Sequence, residues 1–231
     1  MLANMPATTV SDRRDRALIA CAILTGARDG ALRSFKLKHV HLADQRIDQD
    51  AREVATKNAK TCQTWFFPVG GDASAILTEW CSYLRDELHW GDSDALFPAT
   101  TVAPDASGVF APAGLSRDGW RSTGPVRQAF QRAFKSAGLP YFHPHSFRHT
   151  LGQLGERVCP TIETFKAWSQ NLSHAGMLTT LTSYGTVSPH RQAELIRSLD
   201  TAKSATPDGQ ELARAIATIQ RLMPSGPVPA G

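Results

Sequence analysis

The densest cluster of reactive side chains in the sequence is His143-Pro144-His145-Ser146-Phe147-Arg148-His149. His145 and His149 stand four apart, so on a helix they share a face and have the spacing of two zinc ligands. A zinc site needs a third ligand, and no Glu lies between them to act as base. His145 and Arg148 stand three apart and also share a face. An imidazole donor beside a guanidinium fork is the arrangement that grips a phosphate. A histidine that only packs at a helix start is the plainer alternative. No glycine-rich phosphate loop, serine nucleophile elbow or HExxH competes for the chemistry.

The elements that must position this cluster follow from the hydrophobic pattern. Residues 1–10 read as a disordered lead-in. Leu18, Ile19, Ala22 and Ile23 then recur at helical spacing after a cap at Ser11 or Asp12, and Thr25-Gly26 stops the helix. A short helix over about 28–35 follows. The period then shortens: Leu37, Val40, Leu42, Ile47, Val54 and the run Thr64–Val69, broken by Ala43-Asp44 and Asn58-Ala59, predict a three-stranded antiparallel sheet. Asp72 opens an amphipathic helix with Ile76, Leu77, Trp80, Leu84 and Leu88 on one face. Residues 91–120 are rich in Pro, Gly and Ser and read as a loop. Helices are expected at about 122–137, 144–157, 161–170, 176–183, 189–199 and 210–222, the last with Leu212, Ile216, Ile219 and Leu222 on one side. The fold class is α+β, mostly α-helical with one small three-stranded antiparallel sheet.

Composition agrees with a folded soluble chain. Of 231 residues, 42% are hydrophobic and 20% charged, which excludes a disordered or fibrous chain. The net charge of +4 permits a polyanionic partner without demanding one. Cys21, Cys62, Cys81 and Cys159 are scattered and form no CxxC, so reduced thiols in a cytosol are expected. Arg13-Arg14 ahead of the apolar run Ala17–Leu24 imitates a signal peptide. The run is too short to span a bilayer, which needs about 20 residues. Asp12 and Asp15 also spoil its basic flank, so it reads as a buried helix, with no membrane partner.

The ordered set of motifs resembles the catalytic domain of the tyrosine recombinases, the phage integrase family. His145-Ser146-Phe147-Arg148 matches its His-x-x-Arg motif. Thr25-Gly26-Ala27-Arg28 matches the helix end before its first arginine, and Leu37-Lys38-His39-Val40 the opening of its sheet. Thr56-Lys57-Asn58-Ala59-Lys60 falls in the hairpin turn of the family lysine. Leu172-Ser173-His174 fits its late histidine, and Tyr184 its tyrosine. The match runs from about residue 11 to 200, and the tail 201–231 follows it.

The resemblance implies the tyrosine recombinase (DNA breaking-rejoining) fold and a catalytic set of Arg28, Lys57, His145, Arg148, His174 and Tyr184. Tyr184 would attack a phosphodiester of duplex DNA and form a 3′-phosphotyrosyl bond. Arg28 and Arg148 would clamp the non-bridging oxygens, His145 and His174 would hydrogen-bond them, and Lys57 would protonate the departing 5′-hydroxyl. Neither metal nor ATP is implied, because the covalent link conserves the bond energy. A tetramer on DNA, joined through the tail, and a cytoplasmic, nucleoid-associated place in a bacterium or phage-infected cell are further implications. In isolation the domain would be a monomer.

Alternatives stay open at several positions. Lys60 competes with Lys57 as the acid, and Tyr141, more than Tyr83, competes with Tyr184. Arg28 could be an ordinary helix-end arginine and His174 a packed one. The family's acidic residue three after the first arginine is replaced by Ala31, so Asp29 or backbone would have to orient Arg28. The interval from His174 to Tyr184 is ten residues where nine is usual. The helical core-binding domain that normally precedes the catalytic one is absent from the sequence, so weak DNA binding is expected. Type IB topoisomerase activity and a catalytically silent DNA-binding remnant are the rival functions.

Overall fold

The computed structural model describes residues 1–173 and 190. The chain divides after Tyr184 into one compact unit, 1–184, and a second, 185–231. The helices expected at 176–183, 189–199 and 210–222 lie outside the described residues. Among the described residues the helices are α1 (Val10–Thr25), α2 (Asp29–Ser34), α3 (Ala73–Ser82), α4 (Gly124–Ser136), α5 (His145–Val158) and α6 (Ile162–Asn171). The strands are β1 (Val40–His41), β2 (Arg46–Gln49), β3 (Cys62–Trp65), β4 (Pro98–Pro104) and β5 (Phe110–Gly119).

The run that imitates a signal peptide is the centre of the core. Ala17, Leu18, Ile19, Ala20 and Cys21 are wholly buried. The second half of α1 is apolar on every side, and α3, α4 and α5 pack against the helix. Burial also pushes the Cys21 and Cys81 thiols up to about 12, leaving them inert. No described helix is long and apolar enough to cross a membrane. The charges at the head of α1 are absorbed by packing. Arg14 donates to the Pro98 carbonyl at 2.9 Å and to Thr100 Oγ1 at 2.8 Å, and it lies over the Trp120 ring. Asp15 accepts from Arg14 at 2.9 Å and from Arg132 of α4.

The start of α1 differs from expectation. Thr9 is the cap, two residues before the expected Ser11 and three before Asp12. Its hydroxyl accepts from the Asp12 amide at 3.1 Å, and the Asp12 carboxylate accepts from the Thr9 amide at 2.9 Å. This reciprocal box satisfies two donors that no helical carbonyl reaches. The first ten residues are ordered as well: Leu2–Asn4 form a 3-10 turn and Met5 joins the core. An apolar side chain five residues ahead of a capped helix is within reach of that core and is buried there.

The three-stranded sheet is antiparallel in the order β1-β2-β3, with Val40 opposite Ile47 and Ile47 opposite Thr64. Helix α3 buries Ile76, Leu77 and Trp80 and continues through a π turn, Tyr83–Glu87, that buries Leu84. The expected loop at 91–120 is instead largely a β-hairpin, β4 paired antiparallel with β5. Its Pro-rich composition misleads because a two-stranded ribbon has edges everywhere, where prolines are tolerated. Asp105 closes the tip by accepting from the Ser107 and Val109 amides, with Gly108 at φ +78°. Residues 98–116 contain no Lys, Arg or His, and Arg117 near the end of β5 is paired with Asp94.

Candidate active site

The site is assembled where the end of α1 meets the face of α5. Gly26 ends α1 in the left-handed region (φ 59°, ψ 23°), and its amide still bonds to the Ala22 carbonyl at 2.9 Å. A β-carbon at Gly26 would lie 3.0 Å from Leu151 Cδ1, 3.1 Å from Leu172 Cδ2 and 3.5 Å from Arg148 Cα. Glycine is therefore required twice, by the backbone angle and by the space. Thr25 secures the corner, donating to the Cys21 carbonyl at 2.7 Å and accepting from the Ala27 amide at 3.2 Å. Arg28 follows as the residue that caps α2. Burial pushes its guanidinium below the ordinary value, and the nearby Cys62 thiol of β3 opposes that shift.

Helix α5 begins after Pro144, which suits a position where no amide partner exists. Phe147 packs beside Phe130 and Phe134 of α4, which sets the rotation of α5 and turns Arg148 inward. Arg148 is 5% exposed. Its Nη1 donates to the Gly26 carbonyl at 3.3 Å and its Nη2 to the Leu172 carbonyl. Beneath it, Leu151, Leu172 and Phe67 form a small core of their own, flanked by Trp168. Trp168 Nε1 donates to the Leu151 carbonyl at 2.8 Å and holds α6 against α5.

His145 feels both Arg148 and Arg28. His145 is pushed below the ordinary histidine value chiefly by burial, and next by Arg148 and Arg28, with His143 and His149 adding to it. The ring is thus neutral near pH 7, fit to hydrogen-bond or to take a proton. Lys57 lies on the β2–β3 connection, opening the turn Lys57–Ala59, with Asn58 at φ 59° and Ala59 at φ 49°. Lys57 and Lys60 are both exposed on that connection. The following strand begins at Cys62, the residue that Arg28 feels. His174 and Tyr184 lie outside the described residues.

One of the two alternatives for orienting Arg28 is set aside by geometry. Asp29 does not orient Arg28. Its carboxylate accepts from the Gly30 amide at 2.9 Å and pairs with Arg127 of α4 at 3.0 Å. Ala31, in the place of the family's acidic residue, is buried in the core, where an unpaired carboxylate would be strongly unfavourable. No three His, Cys, Asp or Glu side chains among the described residues are grouped to hold a metal. Of the rival tyrosines, Tyr83 is stacked on Trp80 with Arg13 over its ring, whereas Tyr141 is 42% exposed with its ring edge-on to Phe134. The carbonyls of Gly26 and Leu172 were not foreseen as partners of Arg148. Only the helix-stopping glycine signalled them.

Comparison with known proteins places this architecture. The chain belongs to the phage integrase family, whose profile matches residues 1–161, a span that holds Arg28, Lys57, His145 and Arg148. Its fold is shared with XerA recombinase, at a TM-score of 0.52 and 22% identity over 86% of this chain and 60% of that one. It is shared equally with XerH site-specific recombinase, solved bound to its difH substrate as a pre-cleavage complex, at 0.52 and 19% identity over 84% of this chain and 49% of that one. The chain thus spans between half and three fifths of the length of these two structures. No curated protein matches it. The expected class, α+β with the tyrosine recombinase fold, is the one observed.

Proposed function

We propose that the chain is the catalytic domain of a site-specific DNA recombinase that cleaves and rejoins duplex DNA through a 3′-phosphotyrosyl intermediate. The observation that carries this reading is the convergence of Arg28, His145 and Arg148 at the Gly26 corner. Two guanidinium forks and a neutral imidazole around one point suit a phosphodiester whose non-bridging oxygens gain charge during attack. The Tyr184 oxygen attacks phosphorus, and its proton passes to a neighbouring base such as His145. The P–O5′ bond breaks, and Lys57 protonates the leaving oxygen. Attack by a 5′-hydroxyl of a second strand reverses these steps and releases Tyr184. Arg28 and Arg148 stabilise the phosphorane in both directions, and His174 is assigned to the same oxygens.

Duplex DNA is the proposed partner, in line with the DNA-bound state of the XerH structure. A tetramer on DNA, with the segment 210–222 of each copy bridging to its neighbour, completes the proposal, together with a cytoplasmic location. The test is covalent capture: the 231-residue chain is incubated in low salt with a pool of nicked duplexes of random sequence, and protein–DNA adducts are isolated. Adducts that vanish in Tyr184→Phe and carry a recurrent sequence are expected. Adducts that persist in Tyr184→Phe would overturn the nucleophile assignment. Relaxation of supercoiled plasmid without sequence-selective capture would assign the topoisomerase reaction instead.

A further inference from the structure

The β2–β3 connection, residues 50–61, is long for a hairpin, in which about 2–5 residues are usual. Apart from the single turn Lys57–Ala59 it has no regular structure. A segment of that kind should hold a side chain at its tip only loosely. Its first half is nevertheless fastened to the elements that follow Arg28. Val54 is 2% exposed and plugs into the main core. The Ala55 amide donates to Ser34 Oγ at 2.9 Å, and Ser34 in turn donates to the Gly30 carbonyl of α2. The Ala55 carbonyl lies 3.1 Å from where a β-carbon on Gly30 would sit, so this limb rests on the backbone of α2. The Glu53 carboxylate accepts from Lys38 Nζ at 2.8 Å, and its other oxygen is 3.1 Å from His39 Nε2. His39 is 4% exposed, and its Nδ1 accepts from the Lys36 amide at 2.9 Å. With Nδ1 accepting, the ring proton sits on Nε2 and is donated to Glu53, so the ring orientation is fixed from both sides. The other limb is tied across: the Ala51 amide donates to Thr61 Oγ1 at 3.1 Å.

We infer that Glu53 is a positioning residue for the leaving-group acid. With His39, Lys38 and the Ser34–Ala55 bond, it anchors the limb that carries Lys57 to α2, which Arg28 caps, and to the turn Leu37–His39 that follows it. The phosphate clamp and the proton donor thereby share one rigid base. This rests on the reading of Lys57 as the acid. It explains how an exposed lysine on a long connection is delivered to one oxygen: three residues separate it from the anchor, and Val54 among them removes the slack.

The test uses the full chain, a captured target duplex, and the same duplex with a 5′-bridging sulfur in place of the leaving oxygen. A thiolate departs without a proton, so the sulfur substrate bypasses the acid and everything that positions it. Glu53→Ala should slow adduct formation on the oxygen substrate by about 10²-fold, as a misplaced catalytic group does. On the sulfur substrate it should react within about threefold of the unsubstituted protein, since positioning of the acid no longer matters there. Ser34→Ala, which cuts the second anchor, should show the same pattern more weakly, and it keeps the inference testable if Glu53→Ala fails to fold. Lys57→Ala is the reference and should be rescued fully. Rescue of Lys57→Ala without rescue of the anchor variants would overturn the positioning role alone. Failure to rescue Lys57→Ala would overturn the acid assignment and the inference with it. Unslowed anchor variants on the oxygen substrate would also overturn the positioning role.

Discussion

Replacing Gly26 by alanine tests the join between α1 and α5 more directly than any substitution of a charged residue. Two penalties are expected. A β-carbon at φ 59° costs about 1–2 kcal/mol because the left-handed region crowds it against the following carbonyl. Contacts at 3.0 and 3.1 Å with Leu151 and Leu172 require the small core under Arg148 to move, which costs about 1–3 kcal/mol more by overpacking. Gly138 supplies the control. It stands at φ +66° after α4, with nothing within 4 Å of the place for a β-carbon, so Gly138→Ala carries the first penalty alone. For a domain of this size each kcal/mol lowers Tm by about 2–4 °C. Thermal unfolding should therefore fall by about 4–20 °C in Gly26→Ala and by about 2–8 °C in Gly138→Ala. Adduct formation measured well below both melting points should drop only in Gly26→Ala, because the Gly26 carbonyl that holds Arg148 Nη1 has shifted. Equal loss of stability in the two variants, with undiminished cleavage by Gly26→Ala, would refute the close approach and its role in seating Arg148.

Further outcomes follow from the same geometry. Arg148→Lys should retain the fold but lower the adduct rate by at least about 10²-fold, since a lysine cannot hold two carbonyls and a phosphate through one fork; near-normal rates would refute the fork's role. His145 should titrate below 6.5 by NMR and rise toward it in Arg28→Ala, because removing a cation favours the protonated ring. In that interval the unfolded chain binds more protons, so His145 makes stability increase with pH, and an unmoved titration in Arg28→Ala would separate the two residues. Asp15→Ala should cost about 3–5 kcal/mol in chemical denaturation by leaving the buried Arg14 without its carboxylate. A loss below about 1 kcal/mol would mean that the carbonyl and ring contacts of Arg14 suffice.

Local pattern carried much of this structure. The glycine after Thr25, the proline before His145 and the Asn58-Ala59 turn each marked a boundary by a backbone constraint that acts within a few residues. The pairing of His145 with Arg148 was legible for a related reason: they are neighbours on one helix, and the spacing alone puts them on one face. The misreadings share a different cause. The ribbon 98–119 was hidden by its prolines, because edge tolerance depends on the number of strands, which composition does not encode. Met5 is ordered by a core distant in sequence, and Asp29 is claimed by Arg127, 98 residues away. Glu53 gave no signal, since its partners are fixed by how the connection folds back on α2.

The bond between Arg148 and the Gly26 carbonyl spans 122 residues. Ribosomes make protein from the N-terminus at about 5–20 residues per second. The corner at Gly26 therefore leaves the ribosome many seconds before α5 exists to complete it, and the tyrosine assigned as nucleophile comes later still. On the proposed reaction, a half-made chain would hold Arg28 but neither the second guanidinium nor the group assigned to attack. On that reading, premature release would yield fragments unable to bond covalently to DNA, and the order of the residues along the chain would act as a safety catch during synthesis.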